Sequence, residues 1–245
     1  MENEPLSLLC DPDTRYSFEL DGQTLRNTAT GRVYPIRDGI PLFISSLSGA
    51  TLRCQSRYDR LAPFYDLRER FQAFTGKVPG FRAELAAALA IPRGARVLEV
   101  AVGTGANIPH LPADIDFYGI DISWGMLRKC RKNLRKWSRQ AHLFHGEAGR
   151  LPFCAAVFDC VFAANSIRTF AAPERAVREM LWVTRPGGRI VIVDEAAQAP
   201  AGAASPTGTP AHNPIDFVQE DMEDVRVQEL AGGRLYCLSF RKPLN

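Results

Sequence analysis

From Arg96 onward, short apolar runs alternate with amphipathic segments, and this alternation constrains the fold more than any other feature of the chain. Such alternation is typical of βαβ units on a parallel sheet. It predicts strands at Arg96 to Val100, Phe117 to Asp121, His142 to His145, Phe158 to Ala163 and Ile190 to Asp194. The sequence therefore predicts an open α/β sheet.

Amphipathic segments between these runs predict the helices. They are a short helix near Asn107 to Leu111, a long one near Trp124 to Trp137 and one near Pro173 to Val183. We expect Pro186-Gly187-Gly188 to end the last helix and turn the chain into a strand. Near the C-terminus, VRVQEL and RLYCLSFRK flank Ala231-Gly232-Gly233, which predicts an antiparallel hairpin at the edge of the sheet.

The rest of the chain divides into segments of different character. Residues 1 to 50 carry short β-like stretches between Gly-containing turns and predict a small β module. Residues 51 to 245 form the second domain, with helices over 51–92 from about Tyr58 to Phe74 and Phe81 to Ala90. Its sheet core is 93–195. The stretch 196–214 is rich in Ala, Pro, Gly and Thr and predicts a flexible loop, and 215–245 is the hairpin.

Composition excludes several classes of protein. With 46% hydrophobic and 23% charged residues, the chain is an ordinary globular one, and a net charge of +3 does not by itself indicate a nucleic-acid partner. The start MENEPLSLLC lacks the features of a signal peptide, and no stretch is apolar enough for a membrane span. The six cysteines form no CxxC pair, so no disulfide framework or metal site is expected. We therefore expect a cytoplasmic protein.

The segment VLEVAVGTGAN, residues 97 to 107, is the strongest functional signal, because an apolar strand runs into a glycine-rich turn that opens a helix. Gly103 and Gly105 allow a ligand to approach the backbone where a Cβ would collide. Dinucleotide sites begin the same way, but Ile108 stands where they carry a third glycine for the pyrophosphate. This difference, with Glu99 inside the strand end, favours a ligand without phosphate over NAD.

Asp121 ends the next predicted strand. A carboxylate at that place accepts hydrogen bonds from both ribose hydroxyls of a nucleoside lying across the strand ends. The alternative is that Asp121 caps the following helix together with Ser123. Because Asp121 occurs together with the glycine turn, we favour the ribose role.

Six ordered motifs between about Tyr58 and Lys242 resemble class I S-adenosylmethionine-dependent methyltransferases, of the small-molecule group that includes the ubiquinone and menaquinone biosynthesis methyltransferases. The motifs are YDRLAPFYD (58 to 66), LEVAVGTG (98 to 105), GIDISWGML (119 to 127), GEAGRLPF (146 to 153), FDCVFAANS (158 to 166) and EMLWVTRPGGRIVIVDE (179 to 195). The resemblance implies a Rossmann-like, mostly parallel seven-stranded sheet with an antiparallel C-terminal hairpin. It also implies S-adenosylmethionine as the cofactor.

The resemblance assigns roles to individual residues. The two glycines lie under the methionine moiety, Asp121 holds the ribose, Ile122 and Ala148 sandwich the adenine, and Glu147 lies near its amino group. Tyr58 and Tyr65 belong to a helical lid, and Asn165 and Ser166 face the methionine and the acceptor. The full set of implied cofactor-binding residues is Tyr58, Tyr65, Glu99, Ala101, Gly103, Gly105, Asp121, Ile122, Met126, Glu147, Ala148 and Asn165.

This sequence departs from the usual pattern at Ala101, which replaces the first glycine of the turn, and at Glu147, which replaces a more common Asp. Tyr65, Asn165 and Arg168 are candidates for positioning the acceptor, because the lid and the end of the fourth strand lie where open α/β sheets bind substrates. No general base is assigned.

The N-terminal module resembles a second family, the small zinc-ribbon domains that occur alone or fused to methyltransferases. LLCDPD and LRNTATGRVYPIRDGIPLFI carry this resemblance. The four ligand positions of that pattern are Cys10, Asp13, Asn27 and Thr30 here, and a structural zinc site needs four good ligands. We therefore expect a zinc-free ribbon held by packing of Tyr34, Ile36, Ile40, Leu42 and Phe43.

The run RKCRKNLRKWSR, residues 128 to 139, predicts a helix whose apolar face carries Leu127, Cys130, Leu134 and Trp137. Its cations fit a solvated face or an RNA-binding surface. The preferred function is methyl transfer to a small molecule, and the alternatives are methyl transfer to RNA and a non-catalytic cofactor- or partner-binding protein. An oxidoreductase is disfavoured, and the sequence does not indicate the oligomeric state.

Overall fold

The computed structural model describes residues 6–44, 52–62, 81–195 and 214–244. Several sequence predictions fall outside these residues. They are Tyr65, the part of the first predicted helix beyond residue 62, and the predicted loop apart from Pro214.

The main sheet has seven strands within the described residues. They are β5 (Arg96–Val100), β6 (Asp116–Asp121), β7 (His142–His145), β8 (Phe158–Ala164), β9 (Thr184–Glu195), β10 (Glu223–Leu230) and β11 (Leu235–Arg241), in the order β10-β11-β9-β8-β5-β6-β7. Strands β5 to β9 are parallel, and β11 pairs antiparallel with both β9 and β10. The predicted α/β sheet with a reversed edge is therefore confirmed.

Apart from helical residues 6–7, the described part contains four α-helices. They are α1 (52–62), α2 (Phe81–Leu89), α3 (Trp124–Trp137) and α4 (Pro173–Val183). Helix α1 begins earlier than the predicted start near Tyr58. The predicted helix near Asn107 is a 3-10 turn at Ile108–His110.

The core forms two layers, one on each face of the sheet. Alternate residues of β5 enter different layers, since Val97 packs with α2 and α3 whereas Leu98 packs with α4 and the N-terminal module. On α3, Leu127, Cys130 and Leu134 are buried as predicted, while Trp137 is only partly buried.

Helix α4 has its predicted bounds, but Pro186-Gly187-Gly188 does not have its predicted role. The helix ends at Val183 and β9 begins at Thr184, so Pro186-Gly187-Gly188 lies inside the strand instead of ending the helix. The Thr184 hydroxyl donates to the carbonyl of Met180 at 2.6 Å, and Lys242 Nζ donates to the carbonyls of Leu181 and Thr184. These contacts satisfy carbonyls that a helix end leaves without partners. The adjacent Thr184 and the distant Lys242 therefore cap the end of α4 before the glycines are reached.

The N-terminal module is a four-stranded antiparallel sheet of β1 (Phe18–Asp21), β2 (Thr24–Asn27), β3 (Val33–Arg37) and β4 (Ile40–Pro41). Leu42 bridges to His145 of β7, so the chain after β4 extends the edge of the main sheet. The rings of Phe18, Tyr34 and Phe43 pack together, and Phe43 also meets Phe144 of β7. The module therefore shares a hydrophobic core with the main sheet.

The zinc-ribbon resemblance places the four metal-ligand positions in two turns. Two side chains close these turns by accepting hydrogen bonds. Asp11 Oδ1 accepts from the amides of Asp13 and Thr14, and Asn27 Oδ1 accepts from the amides of Ala29 and Thr30. Asn27 Nδ2 joins the two turns by donating to Thr14 Oγ1 at 2.9 Å. Tyr34 donates from its hydroxyl to Asp11 Oδ2, which is fully buried. No cluster of metal-binding side chains occurs in the described ranges, and the ribbon resemblance stays a prediction.

Candidate active site

The turn after β5 has an unusual backbone, since Ala101, Gly103 and Gly105 all have positive φ, at 64°, 56° and 77°. The two glycines serve different purposes. A Cβ on Gly103 would have no atom within 4 Å, because this position faces an open cleft. A Cβ on Gly105 would lie 2.7 Å from the sulfur of Cys130 on α3. Gly105 therefore allows the turn to pack on α3 and does not line the cleft.

Asp121 lies at the end of β6, beside this turn. Its Oδ2 accepts the Gly103 amide at 2.7 Å and its Oδ1 accepts the Ser123 amide at 2.8 Å. Burial raises its pKa to about 6, with a further contribution from the charge of Asp59, while the amide hydrogen bonds act in the opposite direction. Ser123, not Asp121, caps α3, by accepting from the amide of Met126. The Asp121 carboxylate instead lines the cleft.

Helix α1 covers one side of the cleft with Cys54 and Tyr58. Burial raises the pKa of both groups. Two side chains of the helix hold it in place. Gln55 Nε2 donates to the carbonyl of Ile122 at 3.1 Å. Asp59 Oδ1 accepts from the Ser123 hydroxyl at 2.6 Å and from the Gly125 amide at 2.9 Å.

The close approach of α1 depends on Gly125. A Cβ at that position would lie 3.1 Å from the Cβ of Ala62. A side chain on this glycine would therefore push α1 away from the first turn of α3.

A second wall follows β6 and β7 and consists of Ile122, Glu147, Ala148 and their neighbouring glycines. His145 lies behind it, with Nε2 2.9 Å from the carbonyl of Ile122. Burial lowers the pKa of His145. The neutral imidazole therefore supports the Ile122 backbone without lining the cleft.

The third wall follows β8. Asn165 has a φ of 53°, and its backbone N–H donates to the carbonyl of Val193. Ser166 is buried, and its hydroxyl oxygen has no hydrogen-bond partner among the residues that the structure describes. Beyond them lie Thr169, Phe170, Ala171, Ala172 and Arg175. Sequence reasoning missed these five, although their position after a strand end could have indicated them.

The cleft encloses about 960 Å³ of empty space, its open mouth included, and most of its lining is apolar. Nine of the predicted cofactor-binding residues line it: Tyr58, Ala101, Gly103, Asp121, Ile122, Met126, Glu147, Ala148 and Asn165. Among the others, Glu99 is buried and accepts from Asn107 Nδ2 at 2.6 Å, away from the cleft.

Arg168, a candidate for positioning the acceptor, does not line the cleft either. Its Nε is 2.8 Å from Asp194 Oδ1, and its second terminal nitrogen is 2.7 Å from Glu195 Oε2. It therefore joins the turn after β8 to the end of β9.

The described part of the chain holds no helix with the length and apolar character of a membrane span.

A doubly wound sheet with a cleft at the carboxyl ends of β5, β6 and β8 is the arrangement in which open α/β proteins bind nucleoside cofactors. Residues 98–192 match the family described as a methyltransferase domain. This part of the chain is therefore similar to methyltransferase domains.

Two curated relatives agree with this assignment. The chain is 35% identical over 138 residues to the demethylmenaquinone methyltransferase of Renibacterium salmoninarum, covering 56% of each protein. It is 37% identical over 125 residues to the phosphatidylethanolamine N-methyltransferase of Cereibacter sphaeroides, covering 50% of this chain and 62% of that protein. The chain thus spans little more than half the length of these relatives.

Solved structures share the fold. The [4+2]-cyclase SpnF superposes with a TM-score of 0.67 at 17% identity, covering 85% of this chain and 100% of that one. A SAM-dependent methyltransferase from Aquifex aeolicus gives a TM-score of 0.52 at 16% identity, covering 65% of this chain and 88% of that one. At this identity the likeness concerns the fold alone, and it extends to a cyclase, which is named for a different reaction.

Proposed function

We propose that this protein transfers a methyl group from S-adenosylmethionine to a small, largely apolar acceptor. The observation that carries the proposal is the pair formed by Asp121 and Gly103, in which a buried carboxylate and an open backbone position meet at one corner of the cleft. Each oxygen of Asp121 keeps a lone pair after accepting one amide, so both can accept from ribose hydroxyls.

The remaining walls fit the other parts of the cofactor. Ile122 and Ala148 offer apolar surface for the adenine, with the Glu147 carboxylate beside them. The buried Ser166 hydroxyl, which lacks a partner within the described ranges, lies on the wall after β8 and fits a polar end of the ligand. When bound, the sulfonium supplies an electrophilic methyl group.

The residues of this chain would contribute mainly by alignment. Asn165 and Ser166 at the end of β8 and Tyr58 on α1 surround the space where an acceptor can approach, and holding two reactants in line is itself a large part of a displacement reaction. Phe170 and the two alanines after it add an apolar surface. This surface, with relatives named for a quinone and a phospholipid, favours an apolar acceptor.

The RNA alternative has less support. Two of the cations in the basic run are used within the protein, because Arg131 contacts Asp38 of the N-terminal module and Arg139 donates to the carbonyls of Leu111 and Pro112. The solvated-face interpretation therefore accounts for this part of α3. All six cysteines are free thiols, which fits the reducing cytoplasm that we propose as the compartment.

Calorimetric titration tests the proposal directly. S-adenosylmethionine and S-adenosylhomocysteine should bind in the micromolar range, NAD should not, and Asp121→Ala should weaken binding of both sulfur nucleosides. Asp114→Ala, which removes a carboxylate that pairs with Arg93 and does not line the cleft, is the matched control. If neither sulfur nucleoside binds, the proposed function is wrong, and if both bind without turnover of any quinone or phospholipid, the non-catalytic alternative replaces it.

A further inference from the structure

Helix α1 presents three distinct faces. Cys54 and Tyr58, four residues apart, line the cleft. Gln55 and Asp59, also four apart, hold the helix against the first turn of α3. Residues spaced by three and four lie on one side of a helix, so each pair defines one face.

The third face carries Arg53, Arg57 and Arg60, again at spacings of four and three, and all three side chains are exposed. None of the three guanidinium groups forms an ion pair within the described part of the chain. Arg60 Nε donates only to the carbonyl of Ser56, inside the same helix. The single acid of the described helix, Asp59, is already engaged with α3. The outer face of α1 is therefore a row of three cations, with no acid on the same face.

An exposed apolar residue lies beside this row. Leu52 precedes Arg53 and is 46% exposed. A cationic face next to an exposed leucine is the composition of helices that lie on anionic bilayers, where the cations meet headgroups and the leucine enters the acyl boundary. A nucleic-acid backbone would use the cations but not the leucine.

We propose that the outer face of α1, formed by Arg53, Arg57 and Arg60 with the exposed Leu52 at its N-terminal edge, binds the anionic surface of a lipid bilayer. This inference deepens the proposed function, on which it rests for the apolar character of the acceptor. Tyr58 of the cleft is next to Arg57, and a helix with its side chains is about 10–12 Å wide. A bilayer on the outer face would therefore lie about one helix width from the cleft, within reach of an apolar acceptor dissolved in it.

Vesicle flotation of the full chain tests this surface. Vesicles of phosphatidylcholine with about one third phosphatidylglycerol should bind the protein, and pure phosphatidylcholine vesicles should not. The triple variant Arg53→Gln, Arg57→Gln, Arg60→Gln should bind the anionic vesicles roughly 100-fold more weakly. Each cation near an anionic surface contributes a similar amount of binding free energy, so the three losses multiply in the affinity. The matched control is Arg178→Gln, Arg226→Gln, Arg234→Gln, which removes the same charge from α4 and the C-terminal hairpin and should bind like wild type.

Three results would overturn the proposal. The first is a wild-type protein that does not bind anionic vesicles. The second is an equal loss of vesicle binding in the two triple variants. The third is a short RNA that binds wild type more tightly than the vesicles do and does not bind the α1 variant. The same three proteins are titrated with S-adenosylhomocysteine. Because no substituted residue lines the cleft, binding there should be unchanged in all three. A wild-type protein that binds the nucleoside but not the anionic vesicles refutes the surface alone, whereas absent nucleoside binding in wild type refutes the proposed function.

Discussion

The pKa of Asp121 predicts a pH dependence of cofactor affinity. An ionised carboxylate accepts from both ribose hydroxyls, whereas protonation removes one acceptor, so affinity should fall as the pH falls through the pKa. With a pKa of about 6, about 90% of the group is ionised at pH 7 and about 10% at pH 5. The dissociation constant of S-adenosylhomocysteine should therefore rise about tenfold between pH 7 and pH 5, or ~1.4 kcal/mol. An aspartate with an ordinary pKa would give almost no change over this range.

The measurement is calorimetric titration at half-unit steps of pH, with Asp121→Asn as the control. The asparagine side chain has nearly the same shape and does not titrate, so its weaker affinity should be flat from pH 7 to pH 5. This control also removes the contribution of any other group, including His145, whose pKa lies below its ordinary value. A flat wild-type profile, or the same slope in the variant, would refute the assignment of Asp121.

Stability should show the opposite dependence on pH. The pKa of Asp121 is higher in the folded protein than in the unfolded chain, so its contribution to stability is complete below about pH 4 and is lost as the pH rises through about 6. Two pKa units correspond to about 3 kcal/mol. The free energy of unfolding of the ligand-free wild type, relative to Asp121→Asn, should fall by about this amount between pH 4 and pH 7. Urea denaturation at each pH provides the measurement.

Four further substitutions test the local structure. Gly103→Ala should cost only about 1 kcal/mol of unfolding free energy but abolish nucleoside binding, because its Cβ enters the cleft, whereas Gly105→Ala should cost about 2–3 kcal/mol through collision with α3. Ser123→Ala removes a helix cap and the hydroxyl that α1 uses, and should cost about 1–2 kcal/mol. Asp11→Ala leaves the Tyr34 hydroxyl buried without its acceptor and should cost about 2–4 kcal/mol. Urea denaturation measures the stabilities, and calorimetry measures binding.

Each of these has an outcome that contradicts it. Equal destabilisation by the two glycine substitutions would mean that Gly103 does not face open space. Unchanged stability of the Ser123 variant would remove the link between α1 and α3. For the N-terminal module, the unfolding of wild type is measured with a chelator. If the chelator destabilises wild type as much as Asp11→Ala does, a metal stabilises the module, and not the turns closed by Asp11 and Asn27.

Most of the sheet was predictable from the sequence because strand periodicity and turn residues are local signals. The five predicted parallel strands are each found, and the first of them, Arg96–Val100, has the predicted bounds. Helix α3 also matches its predicted bounds, since its apolar spacing and the Ser123 cap are both contained in one short segment. Helix α4 matches its predicted bounds too, but the role predicted for Pro186-Gly187-Gly188 was wrong, because Thr184 and Lys242, which lies far along the chain, cap the helix end instead.

The candidate site divides in the same way. The residues that a motif specifies, such as Gly103 and Asp121, line the cleft together because the turn and the following strand are close in sequence and adjacent in space. The motif did not distinguish Gly105, which faces α3, from Gly103, which faces the cleft. That distinction depends on a helix that packs behind the turn.

The sequence by itself determined the succession of strands and helices along the chain, the glycine turn, and the position of Asp121 at the end of the next strand. Each of these depends on residues close together in the chain. Only the tertiary structure decided which of those residues line the cleft. It placed Arg168 against Asp194, brought Asp59 of α1 onto the cap of α3, and left the three arginines of α1 on its outer face. Contacts between distant segments have no periodic signal in the sequence, and they arise only when the faces of the helices and the sheet pack together.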